Sequence, residues 1–132
     1  MPLGGGRLNE GIIRMKKILV VDDEKEIRAI LKKILTREGY KVQSAQDGRE
    51  AIRQFKKGGF ELLVTDLRMP GPGVDDMLPE IERLDPAVKV VLITGYPLTP
   101  VIQQKVTAGR YVYFAKPFDN KILVAKLKEL LA

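Results

Sequence analysis

From Lys16 onward the chain alternates five short apolar runs with five segments whose apolar residues recur at helical spacing, and no other feature restricts its folding as much. The runs cover about Lys17–Val21, Tyr40–Ser44, Glu61–Thr65, Val88–Thr94 and Arg110–Ala115. Short apolar stretches bounded by polar residues suit strands buried on both faces, as in a parallel sheet covered by helices. The first helical segment, about Glu24–Glu38, places Ile27, Ile30, Leu31, Ile34 and Leu35 on one face, with Gly39 positioned to end it. Asp47 caps a second, bearing Ala51, Ile52 and Phe55. Met77, Leu78, Ile81 and Leu84 mark a third, stopped by Asp85-Pro86. Thr99-Pro100 opens the fourth as an N-cap followed by a proline in the first turn, and Asp119 caps a fifth carrying Ile122, Leu123, Leu127 and Leu130. Five βα units with short connections predict an α/β, doubly wound fold, with a parallel sheet between two layers of helices and right-handed crossovers. Residues 1–14, which include Gly4–Gly6 and lack periodicity, read as a flexible lead-in, and residues 15–132 as one domain.

Composition removes whole classes of chemistry. There is no cysteine and no histidine, so disulfides, thiolate nucleophiles, serine-type triads and histidine-based metal sites are excluded. Catalysis or ligand capture must rest on carboxylates, hydroxyls, lysine and backbone. No apolar stretch is long enough to span a bilayer, and Met1–Arg14 lacks the pattern of a secretory leader. A cytoplasmic location without a membrane partner is expected. The net charge of +6 reads as a lysine-rich solvated surface. No basic cluster is interleaved with aromatic residues, and direct nucleic-acid binding is not expected.

The carboxylates are placed more tellingly. Asp22 and Asp23 follow the first apolar run directly, and Asp66 follows the third. Carboxyl ends of parallel strands share one sheet edge, and ligands bind there where the strand order reverses. Three carboxylates gathered at such a point repel one another unless a hard, oxygen-seeking cation such as Mg²⁺ lies among them. Lys116-Pro117, after the fifth run, adds a cation at the same edge. Taken singly these residues have ordinary readings: Asp22 and Asp23 as helix caps, Thr94 as the end of a strand, Lys116 as a solvated lysine. The glycine triplet is not a phosphate-binding loop, because no Lys-Ser/Thr follows it.

In combination, Asp22-Asp23, Asp66 followed by Met69-Pro70, Thr94 at the end of the fourth run and Lys116-Pro117-Phe118 resemble the receiver domains of two-component response regulators, of the chemotaxis-regulator kind, over about Lys16–Ala132. The resemblance implies a flavodoxin-like five-stranded sheet in the order 2-1-3-4-5 with five helices. It implies a phosphoacceptor, Asp66, that takes a phosphoryl group in a Mg²⁺-dependent step from a histidine kinase or phosphotransfer protein. Asp22, Asp23, Asp66 and the Arg68 backbone carbonyl would hold the Mg²⁺. Lys116, across a cis bond to Pro117, and Thr94 would address the phosphoryl oxygens. Thr94 and Tyr113 would switch a surface made by the fourth helix, fifth strand and fifth helix, read by a downstream protein target or effector domain; a phosphorylation-dependent dimer is compatible with this. The chain would then be no enzyme toward external substrates, only a self-catalysing acceptor. Departures from the pattern are a glycine one residue early in Pro70–Val74, Tyr111 at a position expected to alter the partner face, and Pro97 and Pro100, expected to shorten or stiffen the fourth helix. A competing reading is a small Mg²⁺-dependent phosphohydrolase with an aspartate nucleophile. Such enzymes need a second aspartate two residues later as general acid, where this chain has Arg68.

Two further positions bear on how long a phosphoryl group would stay. Arg68 and Tyr96, two residues beyond Asp66 and Thr94, are bulky and are neither carboxylate nor amide, so they would shield the acyl phosphate without orienting water. The expected self-dephosphorylation is slower by roughly tenfold than with small amide or acidic residues there, or about 1.4 kcal/mol of barrier. Phosphate release from an Arg68→Asn/Tyr96→Glu double variant should be correspondingly faster; equal rates would show that neither side chain shields.

Overall fold

The computed structural model describes residues 15–67 and 74–132. Five strands, β1 Lys17–Val21, β2 Lys41–Ala45, β3 Phe60–Thr65, β4 Lys89–Thr94 and β5 Tyr111–Ala115, alternate with five helices, α1 Lys25–Arg37, α2 Gly48–Lys56, α3 Val74–Leu84, α4 Pro100–Thr107 and α5 Asn120–Leu131. All strand pairs are parallel, in the order β2-β1-β3-β4-β5. Each strand lies within one residue of its apolar run. The lead-in 1–14 and the Met69–Gly73 loop lie outside the described residues.

The strands can be apolar throughout because both faces of the sheet are covered. Ile18, Val20, Leu62, Val64, Val91 and Ile93 face Leu31 and Leu35 of α1 and Leu123, Leu127 and Leu131 of α5. Their alternates Leu19, Val21, Leu63, Val90 and Leu92 face Ala51 and Phe55 of α2, Met77, Leu78 and Ile81 of α3 and Ile102 of α4. Leu63 on the central strand β3 is fully buried in this second layer. Leu63→Ala should therefore cost about 2–5 kcal/mol, a large share of a small domain's stability, measurable by urea unfolding.

Local signals end the helices where expected. Gly39, at φ 96°, turns the chain out of α1, with its N–H donating to the Thr36 carbonyl and the Tyr40 N–H to the Leu35 carbonyl. Asp47, Thr99 and Asp119 accept from the backbone N–H of Glu50, Ile102 and Ile122 respectively, each as an N-cap.

Packing corrects one expectation and adds two features. Ile30 and Ile122 are not core residues: they are 44% and 61% exposed, because α1 and α5 seat their layers through neighbours on the helix. Tyr111 is buried in the α2–α4 layer, with its hydroxyl donating to Glu82 Oε2 at 3.0 Å. Pro79 stands inside α3, where it removes one amide from the ladder, a feature the apolar spacing does not reveal. Among the described residues no helix is long and apolar enough to cross a membrane.

Candidate phosphoacceptor site

The last rungs of the sheet place the reactive residues. Past the end of β1, the Asp22 N–H donates to the Ala45 carbonyl of β2 at 3.1 Å. Past β3, the Asp66 N–H donates to the Val21 carbonyl of β1 at 3.0 Å. Past β5, the Lys116 N–H donates to the Thr94 carbonyl of β4 at 2.8 Å. The side chains thus emerge together at the carboxyl edge, around β1 and β3, where the strand order reverses.

There the Lys116 ammonium donates to Asp22 Oδ2 and to Asp66 Oδ2, at 2.9 Å each. Both aspartates are almost wholly buried, whereas Asp23 is exposed at the rim. One oxygen from each of Asp22, Asp23 and Asp66 lies within 4.8 Å of the others. Burial drives the Asp22 carboxyl above its usual range, and the Glu24 N–H and the Lys116 ammonium only partly offset this. Burial would lower the Lys116 ammonium, but its hydrogen bonds and charge contacts with Asp22 and Asp66 outweigh that and hold it above its usual range. Lys116 is therefore a permanent cation at neutral pH, set against three carboxylates. The set has oxygen donors only, one open carboxylate and more negative than positive charge, which fits a hard divalent cation such as Mg²⁺.

Asp66 Oδ1 is held by the Leu67 N–H at 2.6 Å, which fixes the carboxylate plane. Thr94 is fully buried, and its hydroxyl accepts from the Tyr96 N–H at 3.0 Å. The Lys116-Pro117 bond is cis. Tyr113 is 38% exposed on β5 and Tyr96 47% exposed beyond β4, so neither is locked in the core. Arg68, to which a carbonyl ligand and a shielding role are assigned above, lies outside the described residues.

Three contacts go beyond the expectations from sequence. Asp22 does not cap α1; its Oδ1 accepts from the Glu24 N–H at 2.8 Å, and Glu24 itself occupies the cap. Arg28, one turn on, donates to the Asp22 carbonyl at 2.7 Å, and Glu24 Oε1 stands 3.9 Å from the Lys116 ammonium. The adjacency of Glu24 to the acidic pair was a signal for the latter; nothing in the spacing marked Arg28.

Comparison with known proteins agrees with this geometry. A family model, the response regulator receiver domain, matches residues 18–128. Sporulation initiation phosphotransferase F of Bacillus subtilis is 33% identical over 104 residues, 79% of this chain and 84% of that protein. A CheY-like response regulator receiver domain protein from Methanospirillum hungatei superposes with a TM-score of 0.82 at 31% identity, covering 89% of this chain and 94% of its own. Response regulator protein TrrA of Thermotoga maritima, solved in complex with Mg²⁺ and BeF, gives a TM-score of 0.74 at 35% identity, covering 88% and 99%. The acidic edge with its lysine, the strand order and these likenesses converge: the chain belongs to the response regulator receiver domains of two-component systems.

Proposed function

We propose that this receiver takes a phosphoryl group onto Asp66 from a histidine kinase or phosphotransfer protein, and that the transfer reshapes a protein-binding surface. The observation that carries the reading is the Lys116 ammonium bridging the buried Asp22 and Asp66 carboxylates, with Asp23 in reach. A carboxylate oxygen of Asp66 attacks phosphorus, an O–P bond forms, and the P–N bond of a donor phosphohistidine breaks, leaving the imidazole as the departing group. An ionised carboxylate needs no base for this. Asp22, Asp23 and Asp66 would hold Mg²⁺, which when bound supplies charge neutralisation to the transferring oxygens. Lys116 supplies the second positive charge from the β5 side. Once the acyl phosphate stands, Lys116 exchanges a carboxylate partner for a phosphoryl oxygen, and the Thr94 hydroxyl donates to another.

Departure of the Thr94 hydroxyl from the Tyr96 N–H frees space above β4, and Tyr113 turns inward to occupy it. The two packings form a two-state switch across α4, β5 and α5. The response regulator names among the relatives support a downstream protein target or effector domain as the reader. The protein acts on no external substrate beyond the phosphodonor.

Incubation with acetyl phosphate and Mg²⁺ should yield a single phosphoryl adduct on Asp66 by mass spectrometry, without sustained turnover of small phosphate esters. An adduct on a threonine, or steady ester turnover, would overturn the reading. Asp23→Asn removes the open carboxylate of the site and should weaken Mg²⁺ by about tenfold or more, checked by titration calorimetry; unchanged affinity would remove Asp23 from the metal site.

A further inference from the structure

The positive charge of this protein is segregated. Residues 25–57 hold ten of the 23 lysines and arginines but only four of the 17 aspartates and glutamates, for a net of +6; the remainder holds thirteen of each sign and is neutral. This quarter of the chain is α1, β2 and α2, which wrap the open β2 edge of the sheet. Lys25, Lys32, Lys33 and Arg37 on α1, Lys41 on β2 and Arg49, Arg53, Lys56 and Lys57 on and just after α2 are all exposed. None of these nine forms an ion pair among the described residues. The acids of the same segment are turned to structural tasks. Asp47 caps α2, Glu50 Oε1 accepts from the Gln46 N–H, and Glu38 pairs with Lys128 of α5 at 2.7 Å. Only Glu26 has no such task.

We propose that this edge binds the phosphate backbone of duplex nucleic acid without reading sequence. Along α1, Lys33 and Arg37 are four residues apart, as are Arg49 and Arg53 along α2, which sets neighbouring cations about 5–6 Å apart in rows. Regular rows of cations, left without carboxylate partners, match a repeating polyanion and release its counterions. The segment exposes one large apolar side chain, Ile30, and it lines the groove beside Lys116, Pro117 and Phe118, leaving the basic rows with no wedge for a lipid surface. It exposes no aromatic ring on which unpaired bases would stack, which disfavours single strands. The strand edge itself offers little to an added acidic strand, since the Ser44 carbonyl is taken by the Gln54 amide at 2.8 Å. The β2 edge and β5 lie at opposite margins of the sheet. Read as a total, the charge looks like ordinary solvation; its distribution carries the inference.

Fluorescence anisotropy with a random-sequence DNA duplex tests it. Affinity should fall linearly on log–log axes between about 50 and 200 mM salt, with a slope near −0.9 per phosphate contacted. Lys32→Gln/Arg53→Gln should weaken binding by about tenfold and reduce the slope by about 2. Lys89→Gln/Lys105→Gln removes the same charge from exposed positions elsewhere and should leave affinity within about twofold. Absence of duplex binding at the lowest salt, equal losses in the two variants, or tighter binding to phosphatidylserine vesicles or polyglutamate than to the duplex would overturn it. Circular dichroism of both variants separates lost binding from lost fold.

Discussion

Asp66→Asn should form no acyl phosphate, a fall of more than about 10³-fold in adduct yield under acetyl phosphate and Mg²⁺, while the protein stays folded. An amide oxygen is a poor nucleophile, and no other carboxylate has the same setting: Asp22 is tied to the Glu24 N–H, and Asp23 stands at the rim. The fold should survive because an asparagine carbonyl can still accept from the Leu67 N–H, and Lys116 keeps Asp22 as a partner. Mass spectrometry checks the first half and far-UV dichroism the second. Full adduct formation in a folded variant would place the acceptor elsewhere.

Lys116→Ala should slow adduct formation by about 10²–10³-fold, the scale seen when one preorganised charge or donor is removed from a transferring group. Geometry supports so large an effect: the ammonium touches both buried carboxylates at 2.9 Å, and the Lys116 main-chain N–H is anchored on the Thr94 carbonyl. Its removal also leaves Asp22 and Asp66 buried with no cation between them, and burial already disfavours the charged form of Asp22. The metal-free variant should therefore be less stable than wild type at neutral pH, with added Mg²⁺ restoring much of the difference. Paired measurements of adduct rate and of urea midpoint with and without Mg²⁺ check both effects; wild-type rates would remove Lys116 from the chemistry.

Strand positions were legible because each apolar run stops at a polar residue, and in a parallel sheet those stops share one edge. Asp22, Asp23, Asp66 and Lys116 could be brought together on that reasoning alone, whereas Thr94 joined them through the family likeness. Strand order could not, since five βα units admit several windings; it came from likeness to a family and agrees with the observed sheet. Helix faces were read less well. Ile30 fits the apolar stripe of α1 by spacing, yet the sheet takes up Leu31 and Leu35 instead, because the width of the covered stripe depends on the neighbouring layer. Tyr111 was legible only as a departure from the family pattern; its burial, with α3 supplying Glu82 for the hydroxyl, depends on packing that spacing does not show. Charge segregation was present in the numbering all along, but it acquires meaning only once α1, β2 and α2 are known to share an edge.

The three amide rungs that anchor Asp22, Asp66 and Lys116 make strand alignment a ruler for the chemistry. A slip of one residue anywhere in β1, β3 or β5 would turn the corresponding side chain to the opposite face of the sheet. Reactivity is then lost by fraying at a single margin, well before the two apolar layers come apart. A substitution far from Asp66, at the opposite end of β1 or β3, can thus silence the protein while leaving it folded, simply by loosening the alignment that the reactive margin inherits.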